Sequence, residues 1–154
     1  MSTASFKVDT NQISDAYNLK FGIVVSNWNN NITEDLLKGC LEVLYSNKVQ
    51  RSNIKIINVP GSFELVYGSK IMQKKEVDVV IAIGCIIKGE TKHFDFICNA
   101  TSNGIKDLNI KGNCPVIFCV LTDDTLEQSI ARSGGKYGNK GSEAAIAAIK
   151  MALI

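Results

Sequence analysis

The stretch from Val80 to Phe96 changes character halfway along, and it constrains the fold more than any other segment. Its first part, Val80-Ile-Ala-Ile-Gly-Cys-Ile-Ile87, is a continuous apolar run, which is typical of a strand buried on both faces. Polar residues 88–92 follow, and then comes His93, the only histidine of the chain. Apolar residues recur at helical spacing from Phe94 to Leu108. The order predicts a strand, a reactive loop and a helix, and open α/β sheets bind ligands at that junction.

Three other apolar segments alternate with segments of helical periodicity. They are Phe21–Ser26, Ile54–Val59 and Val116–Leu121, and the central strand is expected to begin near Val77. Strands separated by helices favour a parallel sheet with right-handed crossovers. The sequence therefore predicts one three-layer α/β/α domain with a four-stranded parallel sheet over residues 21–154. Residues 1–20 are predicted to form an N-terminal arm, in which residues 6–8 are a candidate strand that pairs with a neighbouring subunit.

Capping residues predict where the helices begin and end. Thr33 and Ser62 are expected to cap the first two helices, and Asp124 with Glu127 has the spacing of a capping box. Asn47 is expected to end the first helix. The final helix follows a glycine-rich connector that ends at Gly141, and its many alanines suit close packing against the sheet or a neighbouring subunit.

Composition and charge exclude several classes of function. Of the 154 residues, 45% are hydrophobic and 21% charged, as in an ordinary soluble globular protein. A net charge of +2 without a lysine or arginine block argues against nucleic acid as a partner. We find neither a signal peptide nor an apolar run long enough to span a membrane, and we expect a cytoplasmic protein.

The five cysteines are odd in number and contain no C-x-x-C pair. We expect buried, reduced thiols, with Cys85 alone as a candidate catalytic cysteine because it borders the central loop. One histidine and scattered cysteines form no convincing metal-ligand set. Neither a dinucleotide fingerprint nor a P-loop occurs, so no cofactor is expected.

Loops after the four strands should emerge at one edge of the sheet, and two of them carry aromatic rings. Trp28 and Phe63 either stack on a planar heterocycle whose edge Glu64 contacts, or are ordinary packing residues. The residues before the central helix, Gly89-Glu90-Thr91, suit an anion such as phosphate.

Charged and titratable side chains near these loops leave alternatives open. His93 is either a general acid/base or a packing or surface residue. Arg132, Lys136 and Lys140 are either a second cationic group or a solvated helix face.

Four motifs carry a family resemblance. They are Phe21-Gly-Ile-Val-Val with Trp28-Asn29, Val59-Pro-Gly-Ser-Phe-Glu64, Gly84-Cys-Ile-Ile-Lys-Gly-Glu-Thr-Lys-His-Phe-Asp95, and Arg132 with Gly138-Asn-Lys-Gly141. In this order and spacing they resemble the lumazine synthase family of riboflavin biosynthesis. The resemblance implies a flavodoxin-like fold and a transferase activity. The reaction would condense 5-amino-6-(D-ribitylamino)uracil with 3,4-dihydroxy-2-butanone 4-phosphate to 6,7-dimethyl-8-ribityllumazine, inorganic phosphate and water, without a metal or redox cofactor.

The resemblance also implies a role for each matched residue. His93 would transfer protons. The pyrimidine and its ribityl chain would contact Trp28, Ser62, Phe63, Glu64, Cys85, Ile86, Ile87 and Phe118. The phosphate would contact Glu90, Thr91, Arg132 and Lys140.

Assembly is implied as well. Family members build each site between adjacent subunits of a pentamer, so that Phe118, Arg132 and Lys140 would come from the neighbour. The short connector 134–141 favours an icosahedral capsid, and riboflavin synthase would be a pathway partner. Two alternatives stay open: an archaeal-type riboflavin synthase on the same fold, and a flavin-binding or shell protein without turnover.

Overall fold

Four parallel strands form the central sheet of the computed structural model, which describes residues 16–154. In chain order they are β1 (Phe21–Ser26), β2 (Ile54–Val59), β3 (Val79–Ile87) and β4 (Val116–Asp123). Their order across the sheet is β2-β1-β3-β4, so β1 and β3 are the inner strands. Both are buried along nearly their whole length, as expected for strands covered on two faces. The predicted parallel sheet is confirmed, while the candidate strand at residues 6–8 lies outside the described residues.

Helices cover both faces of the sheet. In the described part of the chain they are α1 (Asn30–Ser46), α2 (Leu65–Met72), α3 (His93–Lys111), α4 (Leu126–Arg132) and α5 (Lys140–Ala152), with a 3₁₀ turn at Arg51–Asn53. Core residues of α1 and α5 pack on one face, and those of α2 and α3 pack on the other. This is a three-layer α/β/α arrangement of the flavodoxin-like type, as predicted.

Alternate residues of each inner strand supply the two cores, because successive side chains of a strand point to opposite faces. Ile23 and Ile81 face α1 and α5, where they pack with Leu36. Val24 and Val80 belong to the other core. The apolar run of β3 is continuous because both of its faces are covered.

Two of the predicted helix caps are wrong. The residue before α1 is Asn29, which adopts the left-handed conformation with φ 56° and ψ 46°. Asparagine tolerates this region better than most residues. Thr33 is buried in the first turn instead, where its Oγ1 donates to the carbonyl of Ser26 at 2.9 Å. Ser62 is not a cap either, since α2 begins after Glu64 without a side-chain cap.

The capping of α4 is shifted by one residue from the prediction. The cap is Thr125, whose Oγ1 accepts from the backbone N–H of Gln128 at 3.4 Å. The N–H of Asp124 donates to Gln128 Oε1 at 2.9 Å. Because β4 continues to Asp123, the helix cannot begin where the spacing of acidic residues alone places it. The predicted end of α1 at Asn47 is confirmed.

The last helix packs tightly against the rest of the fold. Asn139 caps α5 by accepting from the N–H of Gly141 at 2.8 Å, and its side-chain nitrogen donates to the carbonyl of Asp35 at 2.7 Å. Ala145 and Ala148 are fully buried between α1 and the sheet. The connector before α5 forms a small antiparallel hairpin of β5 (Ser133–Gly135) and β6 (Gly138–Asn139). Within residues 16–154, none of the helices has the length and apolar character needed to cross a membrane.

Candidate active site

A cavity of about 580 Å³ opens at the carboxyl edge of β1, β2 and β3. It is lined by Trp28, Asn29, Gly61, Ser62, Phe63, Glu64, Cys85, Ile86, Ile87, Gly89, Thr91, His93, Phe94 and Ile97. Three of the four loops that the sequence places at this edge therefore meet in one cavity. The segment after β4 does not line it, and Thr122 and Asp123 belong to the strand itself, where they pair with Ile86 and Ile87.

The two aromatic rings present their surfaces to solvent. Trp28 is 71% exposed and Phe63 is 55% exposed, so neither packs in the core of the chain. Backbone hydrogen bonds hold the Trp28 loop in place. Asn27 N–H donates to the carbonyl of Val59 at 2.8 Å, and Trp28 N–H donates to that of Pro60 at 3.1 Å. This exposure excludes the interpretation of these rings as core packing within the chain.

The turn between β2 and α2 brings a hydroxyl and a carboxylate to the cavity wall. Ser62 is buried, and its Oγ has no hydrogen-bond partner among the described residues. Gly84 makes this position possible, since a Cβ there would lie 2.8 Å from Ser62 Oγ and 2.7 Å from Leu65 Cδ1. Glu64 is exposed at the rim. An unpaired buried hydroxyl beside an exposed carboxylate suits the polar edge of a ligand.

The loop between β3 and α3 carries the titratable side chain. His93 is the first residue of α3, and its N–H lies 3.4 Å from Thr91 Oγ1, which accepts the hydrogen bond. Thr91 and His93 are both exposed and line the same cavity. A long helix that starts here presents the positive end of its dipole. Proton transfer and anion binding can therefore take place side by side.

Salt-bridge and backbone contacts fix the start of this loop to β4. The N–H of Lys88 donates to the carbonyl of Asp123 at 3.0 Å. Lys88 Nζ also lies 3.4 Å from Asp124 Oδ1 on the surface. Glu90 is exposed between Gly89 and Thr91 but does not itself line the cavity.

Cys85 contributes to the cavity wall rather than offering a nucleophile. Burial raises the pKa of its thiol, the hydrogen bond to Ser129 opposes that rise, and the Asp123 carboxylate adds to it. The thiol is 1% exposed and donates to Ser129 Oγ at 3.4 Å. A thiol kept protonated is a poor nucleophile, so the catalytic alternative for Cys85 is disfavoured. All five cysteines are free, and no cluster suited to a metal ion occurs among the described residues.

Three other sequence-predicted residues do not reach this cavity within one chain. Phe118 is 39% exposed on β4, which is an edge strand. Arg132 ends α4, and Lys140 begins α5, where its Nζ contacts Glu143 Oε1 at 2.7 Å. Among the described residues no lysine or arginine lines the cavity, so it contains neither an ammonium nor a guanidinium group for an anionic ligand.

The structure adds lining residues that the site prediction did not include. They are Asn29, Gly61, Phe94 and Ile97. Phe94 and Ile97 were predicted only as part of the apolar face of α3. Their position in the first two turns after the loop is the signal that would have placed them at the cavity.

Comparison with known proteins agrees with this geometry. The family model for 6,7-dimethyl-8-ribityllumazine synthase matches residues 18–154. The chain belongs to this family. The synthase of that name from Christiangramia forsetii is 59% identical over 146 residues, which are 94% of this chain and 87% of that protein. The Flavobacterium johnsoniae synthase is also 59% identical, over 95% of this chain and 77% of its own length. The Parabacteroides distasonis synthase is 49% identical, over 93% of this chain and 90% of its own length.

The family resemblance seen in the motifs is therefore confirmed across the described fold. The lumazine synthase match begins close to β1 and includes every segment that lines the cavity. It also includes Arg132 and Lys140, which lie outside the cavity of their own chain.

Proposed function

We propose that this protein is a transferase of riboflavin biosynthesis. It condenses 5-amino-6-(D-ribitylamino)uracil with 3,4-dihydroxy-2-butanone 4-phosphate to form 6,7-dimethyl-8-ribityllumazine. The observation that carries the proposal is the single cavity in which exposed aromatic rings, a carboxylate and the loop of Thr91 and His93 meet. Two dissimilar substrates, one planar and one anionic, fit such a divided site.

The aromatic side of the cavity suits the pyrimidine. Trp28 or Phe63 stacks on the ring, and Glu64 with the unpaired hydroxyl of Ser62 contacts its polar groups. The wall of Cys85, Ile86 and Ile87 lines the space beside the ring and its ribityl chain. Binding in this manner orients the exocyclic amine towards the second substrate.

The start of α3 suits the butanone phosphate. Thr91 and nearby backbone N–H groups, including that of Glu90, bind the phosphate, as the positive end of a helix dipole favours anions. His93 moves protons between the attacking amine, the carbonyl oxygen and the departing groups. Each of the two carbon–nitrogen condensations expels one water, and elimination breaks the carbon–oxygen bond to release inorganic phosphate.

The missing cation points to a shared site. A bound phosphate ester needs a positive partner, and the described residues lining the cavity include no lysine or arginine. We infer that Arg132 and Lys140 of the neighbouring subunit of a pentamer supply this charge. The exposed ring of Phe118 on the edge strand would close the pyrimidine side in the same way.

The proposal also covers the assembly of the protein, its location and its pathway partner. The connector between α4 and α5 is short, spanning residues 133–139, which supports an icosahedral capsid. The five free thiols suit the reducing cytoplasm. Riboflavin synthase, which would consume the product, is the proposed pathway partner, and residues 21–154 would act as one domain.

A two-substrate assay tests the activity. Purified protein incubated with both substrates should produce lumazine, followed by its absorbance, together with an equal amount of inorganic phosphate. Incubation with lumazine alone distinguishes the alternatives, because formation of riboflavin there would identify a riboflavin synthase. Absence of turnover with both substrates would favour the flavin-binding or shell protein.

Mixing two impaired variants tests the shared site. His93→Ala and Arg132→Ala subunits, unfolded together and reassembled, should recover activity if each site takes His93 from one chain and Arg132 from the next. Random mixing around a ring restores about one quarter of the sites. Failure to exceed the sum of the separate variants would place Arg132 outside the shared site. Electron microscopy and native mass measurement of the wild type decide between free pentamers and capsids.

A further inference from the structure

A chain of polar contacts runs from the cavity wall to Arg132. The thiol of Cys85 donates to Ser129 Oγ at 3.4 Å, and Ser129 Oγ donates to Asp123 Oδ2 at 2.8 Å. The other oxygen of the same carboxylate, Asp123 Oδ1, lies 3.8 Å from Arg132 Nε. Asp123 is 7% exposed and Ser129 is fully buried. The carboxylate of Asp123 is therefore shielded from water.

Other contacts hold the guanidinium of Arg132 from two further directions. One terminal nitrogen, Nη1, donates to the carbonyl of Gln128 at 2.9 Å. The ring of Tyr137 lies 5.2 Å from the guanidinium carbon, within cation–π range. An arginine has five N–H groups in a planar fork. Nε is the guanidinium nitrogen near Asp123, and Nη1 keeps one N–H beyond its bond to Gln128, so the edge formed by Nη1 and Nη2 keeps donors for an external anion.

We propose that Asp123 is a positioning residue that orients Arg132 for the phosphate of the butanone substrate in the neighbouring site. The inference rests on the proposed function, because that function assigns Arg132 to the phosphate. Asp123 does not touch the substrate. Its buried carboxylate fixes the side-chain torsions of Arg132 before the phosphate arrives, and an ordered arginine loses less conformational freedom on binding.

A purely structural role for Asp123 makes a different prediction. The carboxylate accepts from Ser129, so its removal would also weaken the packing of α4 against β4. Such a loss would disturb both substrates alike and would not depend on the presence of Arg132. The two roles therefore separate in a double-mutant cycle.

The cycle uses Asp123→Asn, Arg132→Ala and the double variant of the assembled protein. Asparagine keeps an acceptor for Ser129 but removes the charge that faces Arg132. We expect Asp123→Asn to raise the KM for the butanone phosphate about fivefold, with the KM for the pyrimidine unchanged. Arg132→Ala should raise the same KM further, and adding Asp123→Asn to it should change nothing more.

Binding of inorganic phosphate, measured by titration calorimetry, gives a readout that does not need turnover. Asp123→Asn should weaken phosphate binding about fivefold in the wild-type background and leave it unchanged in the Arg132→Ala background. Asp107→Asn is the matched control, since Asp107 forms an exposed ion pair with Lys106 on α3. It should alter neither KM nor phosphate affinity.

Each other result overturns the proposal. Unchanged or tighter phosphate binding in Asp123→Asn would mean that the carboxylate does not orient Arg132 productively. An equal loss of phosphate affinity in the Arg132→Ala background, or an equal rise of both KM values, would indicate a structural role.

A second variant is used if Asp123→Asn does not fold. Ser129→Ala, which frees one carboxylate oxygen, should then show a smaller loss of phosphate affinity, and no loss would contradict the proposal. A wild type that binds phosphate but forms no lumazine would refute the proposed function while the calorimetry still decides the role of Asp123.

Discussion

The side-chain amide of Asn29 donates a hydrogen bond to the backbone carbonyl of Cys85, 3.0 Å away. The contact joins the loop after β1 to the end of β3 at the base of the cavity. Asn29 also adopts a positive φ of 56°, which lets the chain turn directly from β1 into α1. One residue therefore determines both the start of the helix and the position of the neighbouring Trp28.

Replacing the amide by a carboxylate tests this contact. Asn29→Asp keeps the tolerance for a positive φ but places an acceptor against an acceptor, so we expect a loss of about 1–3 kcal/mol in the free energy of unfolding. The KM for the pyrimidine should rise as the Trp28 loop loosens. Urea unfolding and steady-state kinetics measure the two effects. Asn27→Asp, at an exposed neighbouring position, serves as the control, and equal stability of both variants would argue against the contact.

Removing the imidazole should slow the reaction more than it weakens binding. For His93→Ala we expect kcat to fall by about 10²-fold or more, because proton transfer by a positioned side chain contributes on that scale. Both KM values should stay within about threefold of wild type. His93→Gln retains a hydrogen-bonding side chain without a transferable proton and should be as slow. Lys92→Ala, at the exposed adjacent residue, should turn over normally. An unchanged kcat in His93→Ala would remove His93 from proton transfer.

Gly141 lies where α5 approaches α1 closely, so a larger side chain there should destabilise the fold. A Cβ on Gly141 would overlap the carbonyl oxygen of Leu36 in α1. We expect Gly141→Ala to lower the free energy of unfolding by about 1–3 kcal/mol, since α5 must move away from α1. At Gly89 a Cβ would meet nothing within 4 Å, so Gly89→Ala should leave stability nearly unchanged. Chemical denaturation of the two variants provides the comparison. Similar midpoints would mean that α5 shifts at little cost.

Because a buried thiol resists ionisation, the folded protein should lose stability at alkaline pH. Burial raises the pKa of Cys119 to about 12 from 9.0, and the nearby Glu143 carboxylate acts in the same direction. Above pH 9 the unfolded chain loses this proton while the folded chain keeps it. The stabilisation is therefore complete below pH 9 and is lost as the pH rises towards 12, at about 1.4 kcal/mol for each pH unit.

The measurement compares the slope of unfolding free energy against pH in wild type and Cys119→Ala. The variant should show the shallower decline between pH 9 and 11, although it starts from a lower stability. Cys98→Ala, which removes a thiol that is only partly buried, should change the slope less. Parallel slopes for wild type and Cys119→Ala would show that the thiol ionises alike in both states.

The positions of the strands were predictable because burial imposes a local pattern. Phe21–Ser26 and the run that ends at Ile87 are nearly continuous apolar segments, so side-chain hydrophobicity alone marks them. The edge strand Ile54–Val59 is interrupted by Lys55 and Asn58 and is less buried, but four of its six residues are apolar. Helix starts were less predictable. Thr33, Ser62 and Asp124 are all good caps by residue type, but the paths of the preceding strand and turn decided which residue could act.

Some features of the candidate site were likewise predictable from the sequence and others were not. Motif residues such as Trp28, Glu64 and His93 were predictable, because each follows a recognisable strand, and the cavity includes all three. The partners of Cys85 were not predictable from periodicity. Cys85 lies 56 residues from Asn29 and 44 from Ser129 in the sequence, and such contacts exist only once the strands are ordered side by side.

Local burial patterns and short motifs specify the elements, their parallel arrangement and the loops that carry reactive groups, so these could be predicted from the sequence. Which loops share a cavity, and the position of Arg132 outside that cavity within one chain, became known from the fold. Contact between distant residues depends on strand order and packing, which the spacing of neighbouring side chains does not specify.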